Sequence, residues 1–180
     1  MLFFKLNNGT QINGQRMKPV HKMVLSAMFV AMGVSLSTLY IPFGAAKCFP
    51  VQHLINVISA VVLGPFYAVA NAFLISLIRN MLGLGSLLAF PGSMIGALLA
   101  ALTYRWFRHY RFACLGELIG TGLIGGIIAA PFAIFLMGKE VGLFFFVIPF
   151  VLSSLSGSLI ALILLETTAI MKFLRSKRLS

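Results

Sequence analysis

Long stretches of this chain run without a formally charged residue for the thickness of a bilayer or more, among them 23–46, 48–78, 80–104 and 141–165. Each meets or exceeds the roughly 20 residues that an α-helix needs to cross the hydrocarbon core. A soluble domain carries about 25% charged residues, whereas these 180 residues carry 9%, with 60% hydrophobic residues and a mean hydropathy of +1.03. No soluble core hides that much apolar surface, so the bilayer is the solvent. The first apolar run follows a polar leader containing Lys5, Arg16 and Lys18, and no small-residue cleavage site comes after it. It reads as a retained helix, not a cleaved signal peptide.

A net charge of +11 raises the question of nucleic acid, but the basic residues flank apolar segments instead of forming one soluble face. The clusters are Arg16, Lys18 and Lys22, then Arg105, Arg108 and Arg111, then Lys172, Arg175, Lys177 and Arg178. Such clustering obeys the positive-inside rule, which puts all three in the cytoplasm. The run 48–78 is too long for one ordinary helix and is interrupted by Gly64-Pro65, a strong turn signal. One crossing there would give five in total and place the basic tail opposite the basic leader. Two crossings give an all-α, six-helix membrane bundle with both termini inside, its helices near 23–41, 51–63, 66–81, 92–107, 113–137 and 141–171. Lys47 and Lys139 then face outside. A basic leader (1–22) precedes one membrane domain (23–174) and a short basic tail (175–180). There is no internal repeat and no loop large enough for a catalytic or nucleotide-binding domain.

Polar groups within lipid are costly and tend to be functional. Lys47 ends the first outer loop, and Gln52, His53, Asn56 and Ser59 follow on one face of the second helix, at three- and four-residue spacings. Arg79 and Asn80 close the third helix at the same level, with Ser86, Phe90 and Ser93 just beyond. Together with Phe49, these donors, acceptors and aromatics from three segments resemble the lining of a small-ligand pocket open to the outside. The plainer alternative has Arg79 and Lys47 snorkelling to outer phosphates. His53 and Asn56 lack a stem long enough to do so. Glu117 and Glu166 lie in the inner half, near basic clusters, where pairing with arginine or lysine is the expected role; Glu117→Gln should then leave ligand affinity nearly unchanged. Cys48 and Cys114 fall on opposite sides of the membrane and cannot bridge. His21 and His109 are on the cytoplasmic side of His53, so no metal-ligand cluster assembles. Nothing forms a catalytic constellation, which leaves a binder or transporter that is not an enzyme.

Small residues Ala27, Ala31 and Ser35 recur at four-residue spacing on the first helix, as do Gly116 with Gly120 and Gly122 with Gly126 on the fifth. Such stripes permit close helix contact. The run from Ala45 through Lys47-Cys48-Phe49-Pro50-Val51-Gln52-His53-Leu54-Ile55-Asn56 to Val57 carries a more specific signal. So do Leu63-Gly64-Pro65-Phe66-Tyr67-Ala68, Ile78-Arg79-Asn80, Leu88-Ala89-Phe90-Pro91-Gly92-Ser93 and Gly116-Glu117-Leu118-Ile119-Gly120-Thr121-Gly122. In these residues the chain, from Val24 to its end, resembles the ThiW family of substrate-binding S components of energy-coupling factor transporters. The resemblance implies a six-helix S-component fold in a prokaryotic plasma membrane. It implies uptake of a thiamin precursor, the hydroxyethylthiazole moiety, powered by two partner ATPase subunits through a membrane scaffold subunit. ATP would be bound only by those partners. A neutral thiazole needs stacking and a few hydrogen bonds, so Lys47, Phe49, Gln52, His53, Asn56, Asn80, Phe90 and Ser93 are the expected lining, with Arg79 bracing loops. Ala27 and Ala31 are expected to dock on the scaffold. An S component for another vitamin or a pyrimidine precursor is the alternative, as is a ligand-free membrane assembly subunit.

The charge asymmetry predicts that cysteines introduced at Ser176 and Arg108 are shielded from an impermeant thiol reagent in intact cells, while one at Gly44 reacts. Labelling of the first two from outside would refute the six-helix topology.

Overall fold

The computed structural model describes residues 11–12, 15–43, 46–138 and 140–178. The leader before Gln11, Gly44 and Ala45 of the first loop, Lys139, and residues 179–180 of the basic tail lie outside the described residues. A short hairpin, β1 (Gln11–Ile12) and β2 (Gln15–Arg16), precedes α1 (Pro19–Ser35). Helix α1 begins four residues before the expected 23 because Pro19 stands in its first turn, where the ring's fixed φ favours the helix and the missing N–H costs nothing. A single 3₁₀ turn (Leu36–Thr38) leads into a second hairpin, β3 (Ile41–Phe43) with β4 (Ala46–Cys48), which pairs Ile41 with Cys48 and Pro42 with Lys47.

The apolar run 48–78 divides into α2 (Pro50–Val62) and α3 (Pro65–Met81). Gly64 takes φ +88°, a conformation an L side chain rarely adopts, and Pro65 restarts the helix. After α4 (Ala89–Phe107), Arg108 turns left-handed at φ 56° and the Nδ1 of His109 accepts a 3.2 Å bond from the Arg111 N–H, capping α5 (Tyr110–Glu117). The rod continues without a break through a π-helical segment (Leu118–Gly125) into α6 (Gly126–Met137), and ends at Gly138 with φ +61°. Finally α7 (Val147–Arg178) starts later than the expected 141, because turns satisfy the backbone there: Phe145 N–H donates to Gly142 O and Val147 N–H to Phe144 O.

The described residues thus form six helical rods, counting α5, the π segment and α6 as one. Among the described residues, three helices are long and apolar enough to cross a membrane: Pro19–Thr38, Tyr110–Met137 and Val147–Thr168. Helices α2 and α4 occupy the middle, α2 packing on α3, α4 and α7, and α4 on α3, α5 and the π segment; α1 leans mainly on α3 and less on α2. The interior is built of small residues, including Ala60, Ala68, Ala72, Ala97, Ala100, Ala113 and Ala161, while Phe66, Phe135, Leu136 and Ile148 point outward. Large apolar groups outside and small or polar groups inside suit a lipid solvent, where close helix approach replaces hydrophobic collapse.

A very close approach is that between α4 and the π segment. A β-carbon on Gly120 would lie 2.7 Å from the Cα of Gly96, and one on Gly96 would overlap Thr121 and come within 2.7 Å of Glu117 Oε2. Gly96→Val should therefore lower stability by about 1–3 kcal/mol through overpacking, read as a drop in thermal midpoint of the detergent-solubilised protein. Gly142→Ala, which meets nothing within 4 Å, serves as the neutral control; equal melting of the two variants would disprove the tight contact.

Candidate functional site

Between the start of α2, the end of α3, the start of α4 and the start of α7 lies a cavity of about 60 Å³. At the ~10–15 Å³ that one water needs, it holds a few waters or one small ring. Its wall comprises Lys47, Phe49, Gln52, His53, Arg79, Ser86, Ala89, Ser93, Thr121, Pro149, Phe150 and Ser153. Lys47 and Ser86 are exposed and mark the mouth; Gln52, His53, Arg79, Ser93 and Thr121 are buried. Two walls carry aromatic rings, Phe49 and Phe150.

Gln52, His53 and Asn56 share a face of α2 because they are spaced by one, three and four residues, and all three are buried. Gln52 Nε2 donates to Ser76 Oγ at 2.9 Å, and Ser76 Oγ is 3.1 Å from Ser93 Oγ, so α2, α3 and α4 are stitched together beside the cavity. Arg79, 1% exposed, donates through Nη1 to Gln52 Oε1 and lays its guanidinium 3.8 Å from the Phe49 ring centroid. Snorkelling of Arg79 to lipid phosphates is thereby overturned; its backbone carbonyl, accepting from Leu84 and Gly85 N–H, holds the following loop.

Behind the wall sits Glu117, with no exposure. Its Oε1 lies 2.8 Å from His53 Nδ1 and receives Asn56 Nδ2–H at 3.0 Å and the Thr121 hydroxyl at 2.9 Å. Asn56 Nδ2 also reaches Ser93 O at 3.1 Å. Three polar partners on one oxygen satisfy an acid whose burial without them would be strongly unfavourable. The expectation that Glu117 pairs with an inner arginine or lysine is corrected: its partners are on α2 and one turn along its own rod. Glu166 does pair with a basic residue, taking Arg111 Nη2–H at 2.8 Å and Nε–H at 3.1 Å on Oε1. With His53 Nδ1 occupied, Nε2 is the ring nitrogen left for a ligand.

Three expected lining residues are placed elsewhere. Asn56 forms the layer behind His53. Asn80 donates to Ser76 O at 2.8 Å and Ser86 O at 3.0 Å, fixing the α3–α4 turn. Phe90 packs against Phe73, with ring centroids 5.7 Å apart, because Ala89 and Ser93, not Phe90, lie on the cavity face of α4. Thr121, Phe150 and Ser153 were missed. Thr121 was accessible to sequence reasoning through its four-residue spacing from Glu117; nothing in the local pattern of α7 singles out Phe150 or Ser153. Ser153 Oγ accepts the Phe49 N–H at 2.7 Å, and the Cys48 thiol donates to Pro149 O at 3.5 Å, so the β3–β4 hairpin is fastened to α7. Burial pushes the Cys48 thiol pKa up, which makes it a poor nucleophile. Among the described residues no group of three or more His, Cys, Asp or Glu could hold a metal ion.

A small cavity with polar and aromatic walls, enclosed by helices whose outward surface is apolar, defines a membrane protein of the small-molecule-handling class. The family model described as thiamine-precursor transporter protein (ThiW) matches residues 23–171. The chain belongs to the ThiW family, a family of transporter components and not of enzymes. No curated protein and no solved structure matches the chain.

Loss of the buried acceptor should be far more damaging than loss of the exposed one. Glu117→Ala strands the His53, Asn56 and Thr121 donors and is expected to cost about 3–5 kcal/mol, whereas Glu166→Ala should leave the thermal midpoint essentially unchanged. Similar midpoints for the two variants would show that the Glu117 network does not hold the helices together.

Proposed function

We propose that this chain is the substrate-capture component of an energy-coupling factor importer, and that the cavity beneath Lys47 and Ser86 receives a thiamin precursor built on the hydroxyethylthiazole moiety. The observation that carries this reading is the cavity itself, in a chain of a thiamine-precursor transporter family. Its size suits a single five-membered ring. Phe49 and Phe150 offer apolar faces for stacking, and His53 Nε2, Gln52, Ser93 and Ser153 offer hydrogen bonds. The six rods each cross a prokaryotic plasma membrane, with the mouth outside and both termini in the cytoplasm, in keeping with the positions of the basic clusters. ATP chemistry belongs to two partner ATPases and is transmitted through a membrane scaffold subunit.

The docking face is the exposed side of α1. Ala27 and Ala31 are exposed and line an open groove of about 560 Å³ between α1 and α3, together with Met23, Val34, Phe66, Tyr67 and Leu74. Small side chains there would let a scaffold helix approach closely.

Mass spectrometry of small molecules co-purified with the protein tests the ligand directly, and a pyrimidine or another vitamin in place of a thiazole would reassign the substrate. His53→Ala should weaken thiazole binding roughly two- to twelvefold, the equivalent of one hydrogen bond of about 0.5–1.5 kcal/mol, in calorimetric titration. Replacing Ala27 and Ala31 together by leucine should abolish uptake into cells while ligand binding by the isolated protein persists. Undiminished uptake by that double variant would remove α1 from the docking interface.

A further inference from the structure

We propose that the ligand of this cavity is an anion, and that Arg79 grips its oxyanion, a phosphate monoester or a carboxylate, through the Nε–Nη2 edge of the guanidinium. This rests on the reading of the cavity as the substrate site, and it narrows the substrate from a free thiazole alcohol to an acidic derivative. Arg79 lines the cavity yet is 1% exposed. Phe49 covers one face of its plane at 3.8 Å, and Gln52, itself anchored on Ser76, takes Nη1. Orientation and plane are therefore fixed in advance. Nε and Nη2 are buried and without a hydrogen-bond partner. They form the side edge of the fork, the arrangement that meets two oxygens of a carboxylate or phosphate at once. Both atoms belong to a side chain of the cavity wall, so an occupant that displaces the adjoining wall atoms is the partner within reach.

Charge points the same way. The described ion pairs are His53–Glu117 and Arg111–Glu166, and neither engages Arg79. The second charged residue of the wall is Lys47, another cation, and among the described residues no acidic side chain lines the cavity. The one buried acid nearby, Glu117, spends its bonded oxygen on His53, Asn56 and Thr121. A buried cation without a counter-charge is strongly unfavourable, and an anionic ligand supplies that charge. A cationic ligand would meet Arg79 and Lys47 uncompensated, and a neutral alcohol would offer a single oxygen to a two-donor edge.

The test uses the full chain in detergent at constant ionic strength. Calorimetric titration compares hydroxyethylthiazole with its phosphate monoester, and thermal melting is followed with and without inorganic phosphate. The monoester should bind at least tenfold tighter than the alcohol. That advantage should fall below threefold in Arg79→Gln and recover only in part in Arg79→Lys, which keeps the charge without the fork. Inorganic phosphate should raise the melting temperature of the wild type and not of Arg79→Gln. An alcohol that binds as tightly as the monoester or tighter overturns the proposal while leaving the thiazole reading in place. Protection by inorganic phosphate through Arg79, with neither thiazole compound bound, upholds the anion site and overturns the thiazole reading instead. Absence of both monoester binding and phosphate protection overturns the proposal. If Arg79→Gln does not fold, the wild-type ratio of alcohol to monoester decides alone.

Discussion

Glu117 is shut from water at the place where α2, α4 and the π segment meet, and its carboxylate converts three separate helical surfaces into one unit. His53 and Asn56 approach it from α2, Thr121 from the next turn of its own rod, and Asn56 carries the link onward to the Ser93 carbonyl on α4. The space for this side chain exists because Gly96 has no β-carbon. Sequence, packing and site are coupled at this point: the glycine admits the acid, the acid orients the histidine, and the histidine forms part of the cavity wall.

A second polar layer runs parallel to the first. Arg79, Gln52, Ser76 and Ser93 tie α2 to α3 and α4. In a bilayer the lateral force that gathers helices is weak, and packing of small residues with interhelical hydrogen bonds takes its place. The alanine-rich interior lets the rods come close enough for short side chains such as serine to bridge them. The same bonds that hold the bundle also set the shape of the cavity, so binding geometry and helix association are not separable here.

Much of the helical layout was legible in the sequence because its punctuation is strong. Gly64-Pro65 divides an overlong apolar run, and prolines at positions 19, 50 and 65 open helices. Helical spacing also put Gln52, His53 and Asn56 on one face. What it could not supply was the depth of that face. Helix α2 has 13 residues, about 20 Å at 1.5 Å per residue, well short of a ~30 Å hydrocarbon core, and it starts at a buried Pro50 beneath the β3–β4 hairpin. His53 is thus sunk further than its place in the chain implies, far enough to meet Glu117 from the other direction. Phe90 and Phe150 illustrate a related limit. Both are aromatics near helix starts, and only the rotation of each helix, set by its neighbours, decides which one turns inward.

The π segment, Leu118–Gly125, joins α5 to α6 without a break. A π turn carries more residues than an α turn, so the register of the rod shifts between Glu117 below it and Ala129, Ala130 and Ala133 above. Removing one residue and letting the rest relax to α-helix would nearly preserve the facing of everything beyond, because fewer residues at roughly 100° each turn the rod about as far as more residues at the smaller π-helical angle. An added residue, by contrast, would swing the buried alanine stripe of α6 away from its neighbours while the Glu117 end stayed seated. Tolerance to a change in chain length, as distinct from side-chain identity, is therefore one-sided in these eight residues.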